Sequence, residues 1–216
     1  MIIAILIFQS TSKDQQDALD KEYELYGDVV QTNMADTYEG LTYKMVGIFE
    51  WIRSFCYHVS FVVKADDDMY LNMHELNILI DSHVNDSKTI YGRHFPHAQV
   101  LRDIHSKWYV SNETYSLSAY PAYMQGASYM FTGDIIDDVF YTAIAMDFFD
   151  IEDIFITGFV REVLNISLAG VDNFLEFIGK DFDNCDKKHV ITTHGTYDLR
   201  MYEMYTLDMN EELYKC

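Results

Sequence analysis

Three adjacent carboxylates end an apolar, β-branched run in "SFVVKADDDMY", residues 60–70. Like charges at neighbouring positions repel, so Asp66, Asp67 and Asp68 call for a compensating cation. Hard oxygen donors of this kind suit Mn²⁺ or Mg²⁺, and such an ion can in turn grip a diphosphate. An acidic turn opening the next helix, where the dipole favours Asp, accounts for an isolated triplet equally well. A calcium loop does not, because its fifth position would be Tyr70 and its central glycine is missing. Alternation along an extended segment puts Lys64, Asp66 and Asp68 on one side and Asp67 on the other. Lys64 then either offsets the carboxylates or snorkels at a strand end.

The elements that must position this cluster follow from periodicity. "IIAILIF" reads as a strand, "DQQDALDKEYELYG" as a helix stopped by Gly27, and "DVVQTN" as a short strand. Leu41, Met45, Ile48, Phe49, Ile52 and Phe55 recur at helical steps. "SFVVKA" is the next strand and "MHELNILIDSH" the next helix. This β-α-β-α-β-α order predicts a parallel sheet flanked by helices, with the acidic triplet at a strand's carboxyl end, where such sheets bind ligands. Residues 92–127 carry both prolines and many aromatics, which predicts a long loop with two short strands at most, of the kind that builds a cleft. "ASYMFTG" as a strand, two further helices and a last helix from about Asp198 complete a mixed α/β chain without a visible domain boundary, read as one domain over residues 1–216.

The bulk numbers exclude some partners. With 35 acidic against 15 basic residues the net charge is −20, which disfavours nucleic acid and anionic membranes. The apolar start is too short to span a bilayer and lacks the pattern of a signal peptide, so no transmembrane segment or leader is expected. Cys56, Cys185 and Cys216 show no metal-type spacing. Sequons at Asn85, Asn112 and Asn165 weakly favour a secretory location.

Five spaced motifs carry a further signal. "YGDVVQTNMADTYEGLTYK", "YHVSFVVKADDDMYLN", "SKWYVSNETYSLSAYPAYMQGASYMFTGD", "IEDIFITG" and "ITTHGTYDLRMYEMY" follow one another as in the β-1,3-galactosyltransferase family (glycosyltransferase family 31), which this chain resembles from about Glu22 onward. The resemblance implies a GT-A-type nucleotide-sugar-binding fold, α/β with a mixed, mostly parallel central sheet flanked by helices. It also implies a UDP-sugar donor, a divalent ion (Mn²⁺ or Mg²⁺), and inverting transfer of galactose or N-acetylglucosamine to a 3-hydroxyl of an acceptor glycan on glycoprotein or glycolipid. The family's Golgi location would follow.

Residue by residue, "DDD" matches the family's D-x-D motif, giving Asp66 and Asp68 a metal-holding role and Asp66, Asp67 and Lys64 contact with the donor. "EDIF" matches the E-D-V motif, whose aspartate, here Asp153, is the expected base beside Glu152; outside the motif the pair reads as a helix N-terminus. His194 in "ITTHG" matches a late histidine, a candidate third metal ligand, although a lone histidine after a strand is more often structural. Asp36 and Lys44 fall in the block that borders the nucleotide pocket. Trp108, Tyr109, Tyr120 and Tyr123 are either sugar-stacking platforms or core. Gly126 matches a loop glycine where backbone passes close to ligand.

Three departures qualify the resemblance. The helix with R-x-x-I-R-x-T-W that normally precedes the first strand is missing, as are the membrane anchor and stem. Met124 stands where relatives carry cysteine. A GT-A domain that binds sugar or a partner without transfer is therefore the alternative reading.

Overall fold

Tyr129, Met130 and Phe131 are all fully buried, although consecutive residues on a strand face opposite ways. The strand that carries them is therefore covered on both sides, and the fold is built around it. The computed structural model describes residues 5–7, 10, 12–34, 37, 40–174, 188–194 and 199–209. Its elements begin with β1 (Ile5–Ile7), α1 (Lys13–Tyr26), β2 (Val29–Gln31), α2 (Leu41–Phe55), β3 (Phe61–Ala65), β4 (Met69–Leu71) and α3 (Met73–Ser82). They continue with β5 (Thr89–Phe95), β6 (Tyr123–Thr132) and α4 (Ile136–Ala145). A π-helical segment (Ile154–Val160) then runs into α5 (Arg161–Leu164), and β7 (Ser167–Gly170), β8 (Thr192–His194) and α6 (Leu199–Met209) follow.

Local signals explain most boundaries. Ser12 caps α1 by accepting from the Gln15 N–H, and Gly27 ends it at φ 67°, a left-handed turn that favours glycine. Helix α2 buries Met45, Phe49 and Ile52 of the predicted stripe together with Thr42, while Leu41 and Ile48 are half-buried and Phe55 at its last turn stays 70% exposed. Asn72 caps α3, its Oδ1 accepting from the N–H groups of His74 and Glu75 at 3.0 Å each.

Four strands pair in the order β3-β6-β5-β7, with β6 antiparallel to both neighbours and β7 parallel to β5. Strands β1 and β2 pair in parallel, as the β-α-β order predicts, and β4 pairs with β8 antiparallel. The sheet is mixed and flanked by helices, in line with expectation, but the parallel run stops at β3. The reason is topological: β6 arrives after the long 96–122 excursion and runs back between β3 and β5, a step that the β-α-β order of the first half does not cover. Tyr129 and Phe131 on one face join a core with α2, α4 and the π-helical segment. Met130 on the other joins Leu76 and Leu79 of α3 with Tyr91, Phe174 and Ile191.

The excursion is an ordered arch with a single isolated bridge, Gln99 to Ala119. Arg102 holds it together, its guanidinium donating to the carbonyls of Val110 (2.7 Å), Tyr115 (2.7 Å) and Leu117 (2.8 Å). Among the described residues no helix is long and apolar enough to cross a membrane.

Where β6 ends, Gly133 donates its N–H to the Ser60 carbonyl at 2.7 Å, and a Cβ there would sit 1.8 Å from the Val59 carbonyl oxygen. Gly133→Ala must therefore push β3 and β6 apart. We expect it to cost at least about 1–3 kcal/mol, read as a lower melting temperature; an unchanged Tm would contradict this close approach.

Candidate functional site

The acidic triplet lies at the end of β3, but in a turn and not in extended chain. The Met69 N–H donates to the Asp66 carbonyl at 3.2 Å, so Asp67 and Asp68 are the turn's middle residues. The period-two alternation that grouped Asp66 with Asp68 therefore does not run through the triplet. Nor does the triplet cap a helix: β4 follows directly, and the next helix has Asn72 as its own cap. Asp66 and Asp67 are exposed and Asp68 is half-buried. The Asp66 N–H is held by the Ala127 carbonyl at 2.9 Å, which docks the turn onto β6.

Lys64, two residues before, shares a side with Asp66 as the strand period predicts, and the two are ion-paired. Its ammonium also donates to the Gly126 carbonyl, lies 4.0 Å from Glu152 Oε2, and faces the Tyr129 ring at 5.7 Å from its centre. Tyr129, opposite Lys64 in the β3–β6 register, donates its hydroxyl to Glu152 Oε1. Burial works against the charge on Lys64, yet Glu152 and Asp66 outweigh it and hold the pKa above its ordinary value. Burial pushes Glu152 up to about 7, against the pull of Lys64. The same burial, with the Glu152 carboxylate nearby, raises the Tyr129 hydroxyl well above its usual range. Glu152 is thus an internal anchor for Lys64, 9% exposed.

Asp153, the next residue, points differently. Its Oδ1 accepts from the Ile154 N–H at 2.9 Å, and its carboxylate lies against Gly126. A Cβ on Gly126 would be 2.9 Å from Asp153 Oδ2 and 3.0 Å from its Cγ, so only glycine leaves the carboxylate this position. Burial raises Asp153 to about 6, while the Ile154 N–H, Lys64 and the Gly126 N–H each pull it back. Both acids open the helix that continues as the π-helical segment, a geometry common at functional sites. Thr157 within it donates to the Asp153 carbonyl at 2.6 Å and accepts from the Met124 N–H at 2.9 Å, fastening helix to β6. Thr42, in the first turn of α2, donates to the Phe149 carbonyl at 2.7 Å and ties that helix to the approach to Glu152.

The remaining sequence candidates divide. Tyr109 is 41% exposed and lines a cavity of about 180 Å³ with Val110, Ser111, Thr114, Phe149 and Asp150, a few residues before Asp153. Trp108 is exposed, with the Lys107 ammonium 4.5 Å over its ring. Tyr120 is core, 6% exposed and stacked on Tyr115. Tyr123 is half-buried and stacks on Phe95 at 5.4 Å. Lys44 is half-buried in the first turn of α2, and Asp36 lies outside the described residues. His194 sits on β8 with its backbone opposite Met69, next to Asp68 in sequence, and its side chain is outside the described residues. Among the described residues no three His, Cys, Asp or Glu side chains gather as a metal site. Among the described residues Cys56 has no disulfide partner, and Cys185 and Cys216 lie outside them. Tyr129, Thr157 and Thr42 were not legible as site residues, because each depends on a contact between distant segments.

Removing the shared cation tests this network. Lys64→Met leaves Glu152 buried without its counter-charge, which should cost roughly 3–5 kcal/mol at pH 8. The folded-state pKa of Glu152 is raised, so its protonated form favours the fold and that contribution fades as pH rises through about 7. The loss in Lys64→Met should therefore shrink when denaturant unfolding is repeated at pH 6; an equal loss at both pH values would count against the pairing.

Comparison with known proteins adds the following. The family model described as galactosyltransferase matches residues 2–172. "Beta-1,3-galactosyltransferase 5" of Homo sapiens is 29% identical over 195 residues, covering 88% of this chain and 61% of that protein. The Pan troglodytes protein of the same name gives 29% identity, with 88% and 64% covered. "UDP-GlcNAc:betaGal beta-1,3-N-acetylglucosaminyltransferase 7" of Rattus norvegicus is 28% identical over 162 residues, 75% of this chain and 41% of that protein. The chain thus spans less than two thirds of the length of these relatives. Among solved structures, a glycosyltransferase involved in the glycosylation of the major capsid of PBCV-1 aligns at a TM-score of 0.43 and 12% identity, covering 97% of this chain and 100% of that one.

Proposed function

The chain belongs to the galactosyltransferase family, and from that premise we propose that it moves galactose or N-acetylglucosamine from a UDP-sugar to a 3-hydroxyl of an acceptor glycan, with inversion. The observation that carries this reading is the Asp153 carboxylate, buried and held against Gly126, two contacts from an acidic turn through Lys64. Inversion in one displacement needs one carboxylate to take the acceptor's proton while the anomeric carbon is attacked from the face opposite the leaving UDP. A pKa of about 6 suits that task near neutral pH: the group is ionised, yet more basic than an exposed aspartate.

The donor end falls to the turn. Asp66 and Asp68 offer hard carboxylate oxygens, the donor type that Mn²⁺ or Mg²⁺ takes, usually one or two carboxylates with phosphate oxygens completing the shell. That donor set fits such an ion without a third carboxylate, with His194 as the candidate additional ligand. Bound there, the ion would supply charge neutralisation for the departing diphosphate. Asp67, Lys44 and Asp36 are assigned to the nucleotide side, and Lys64 keeps the turn docked on β6. Tyr109, with Trp108 at the mouth of the arch, is assigned to the acceptor. The acceptor would be a glycan on glycoprotein or glycolipid, handled in the Golgi as the family resemblance implies.

Asp153→Asn should lower transfer from UDP-galactose or UDP-N-acetylglucosamine by roughly 10²–10⁴-fold and leave UDP binding intact; loss of UDP binding would move Asp153 to the donor side. Asp68→Ala should instead abolish the Mn²⁺ dependence of UDP binding in a calorimetric titration. For the native chain, the base is active only when ionised, so transfer should fall as pH drops through about 6. A rate that is flat between pH 5 and 7 would rule out Asp153 as the base.

A further inference from the structure

One cation stands apart from this network. On a chain of net charge −20, Arg161 takes part in none of the ion pairs found among the described residues. Its side chain is half-buried, and its Nε is fully buried with no hydrogen-bond acceptor. A guanidinium does not lose its proton, so the arrangement carries an uncompensated, partly desolvated charge. Its place in the last helical turn suits the dipole, but that leaves the buried N–H unmet.

A second basic group lies on the strand pair that this helix packs against: His94 is opposite Met124, which Thr157 holds one turn before Arg161. His94, near the end of β5, is exposed and pairs in register with Met124 of β6, while Gly170 of β7 leaves room for it, a Cβ there lying 3.3 Å from that of His94. Burial, Arg161 and His97 all hold the His94 pKa below its ordinary value, as expected for a base crowded by like charge.

The position of this pair relative to Asp153 gives it meaning. The helix from Asp153 to Arg161 runs along the start of β6: Asp153 meets Gly126, Thr157 holds Met124, and Gly158 faces Pro121 and Tyr123. At about 1.5 Å per residue, eight residues put Arg161 no more than roughly 12 Å along the helix from Asp153. Between them lies the stacked Tyr123–Phe95 pair, with Phe95 adjacent to His94. A carboxylate, an aromatic platform and an unpaired guanidinium thus follow one another over about the length of a disaccharide.

We propose that Arg161 and His94 form an acceptor subsite for a carboxylate or sulfate borne by the sugar next to the one that receives transfer. The anion would meet the guanidinium where the half-buried side chain reaches the surface, by charge-assisted hydrogen bonds, with His94 as a further donor. The inference rests on the glycosyl-transfer reading for its placement and names the acceptor class as acidic glycans.

The test uses three disaccharides sharing a free 3-hydroxyl: one neutral, one 6-sulfated and one carrying a glucuronate. Binding to the full chain is measured by calorimetry, with the His94 ring followed by NMR and UDP titrated in parallel. At least one anionic disaccharide should bind about tenfold or more tightly than the neutral one, and its addition should shift the His94 resonance. Arg161→Gln should erase the difference, Arg161→Lys restore part of it, and His94→Gln reduce it, with UDP affinity unchanged throughout. Which anionic disaccharide gains identifies carboxylate or sulfate. Equal affinities, no binding of any of the three, or a preference that survives Arg161→Gln overturns the subsite. Failure of UDP binding alongside an intact, Arg161-dependent preference would strike the transferase reading and leave the anion subsite standing.

Discussion

The site depends on where one buried ammonium goes. Lys64 sits on β3 beside the doubly covered β6, with its side chain largely buried, and a lysine there is tolerated only with partners close at hand. It finds them in three segments at once: Asp66 in its own turn, the Gly126 carbonyl on β6, and Glu152 at the start of the helix after α4. These contacts join the acidic turn, the strand and the helix into one unit. Because Gly126 presents its carbonyl to Lys64 and its missing side chain to Asp153, the residue that fixes the turn also sets the gap in which the carboxylate lies.

This explains why two adjacent acids have different characters. Glu152 points inward to Tyr129 and Lys64, and its charge is matched inside the protein. Asp153 rests on backbone N–H groups and on the edge of Gly126, which stabilise its anion without neutralising it. Glu152 is turned inward and engaged by Lys64 and Tyr129, so its position, and not its proton affinity, sets it apart from Asp153. Asp153 keeps a raised proton affinity through burial, while backbone N–H groups and Lys64 stabilise its anion. The division of labour comes from a single residue's step around the helix start.

The local elements were legible in the sequence, and the assembly was not. The stripe of α2, the stop at Gly27 and the strand before the acidic triplet all followed from spacing. The antiparallel course of β6 did not, because nothing in the second half's composition says on which side of β5 the chain returns. The same limit applied at the site. Lys64, Asp66, Gly126, Glu152 and Asp153 could be named, the last three through motif resemblance, and the shared side of Lys64 and Asp66 followed from strand period. That the triplet turns at Asp67 is local, but a triple aspartate suits an extended strand end as well as a turn; that Glu152 faces inward and that Tyr129 completes its hydrogen bonding require contacts across more than twenty residues of chain.

Net charge gives the arrangement its last constraint. A chain with 35 acidic and 15 basic residues presents a field that repels anions, yet both substrates of the proposed reaction can carry them. The donor's diphosphate would be received at a carboxylate turn, where an ion reverses the local sign. At the proposed acceptor end Arg161 would supply a permanent charge instead, one that takes part in no ion pair among the described residues. On a surface of such net charge an anion is held best where a local positive charge offsets the general field, and the proposed reaction places one such charge at each side of Asp153. The general acidity would then add to selectivity, since an acidic glycan in another register would meet a field of like sign.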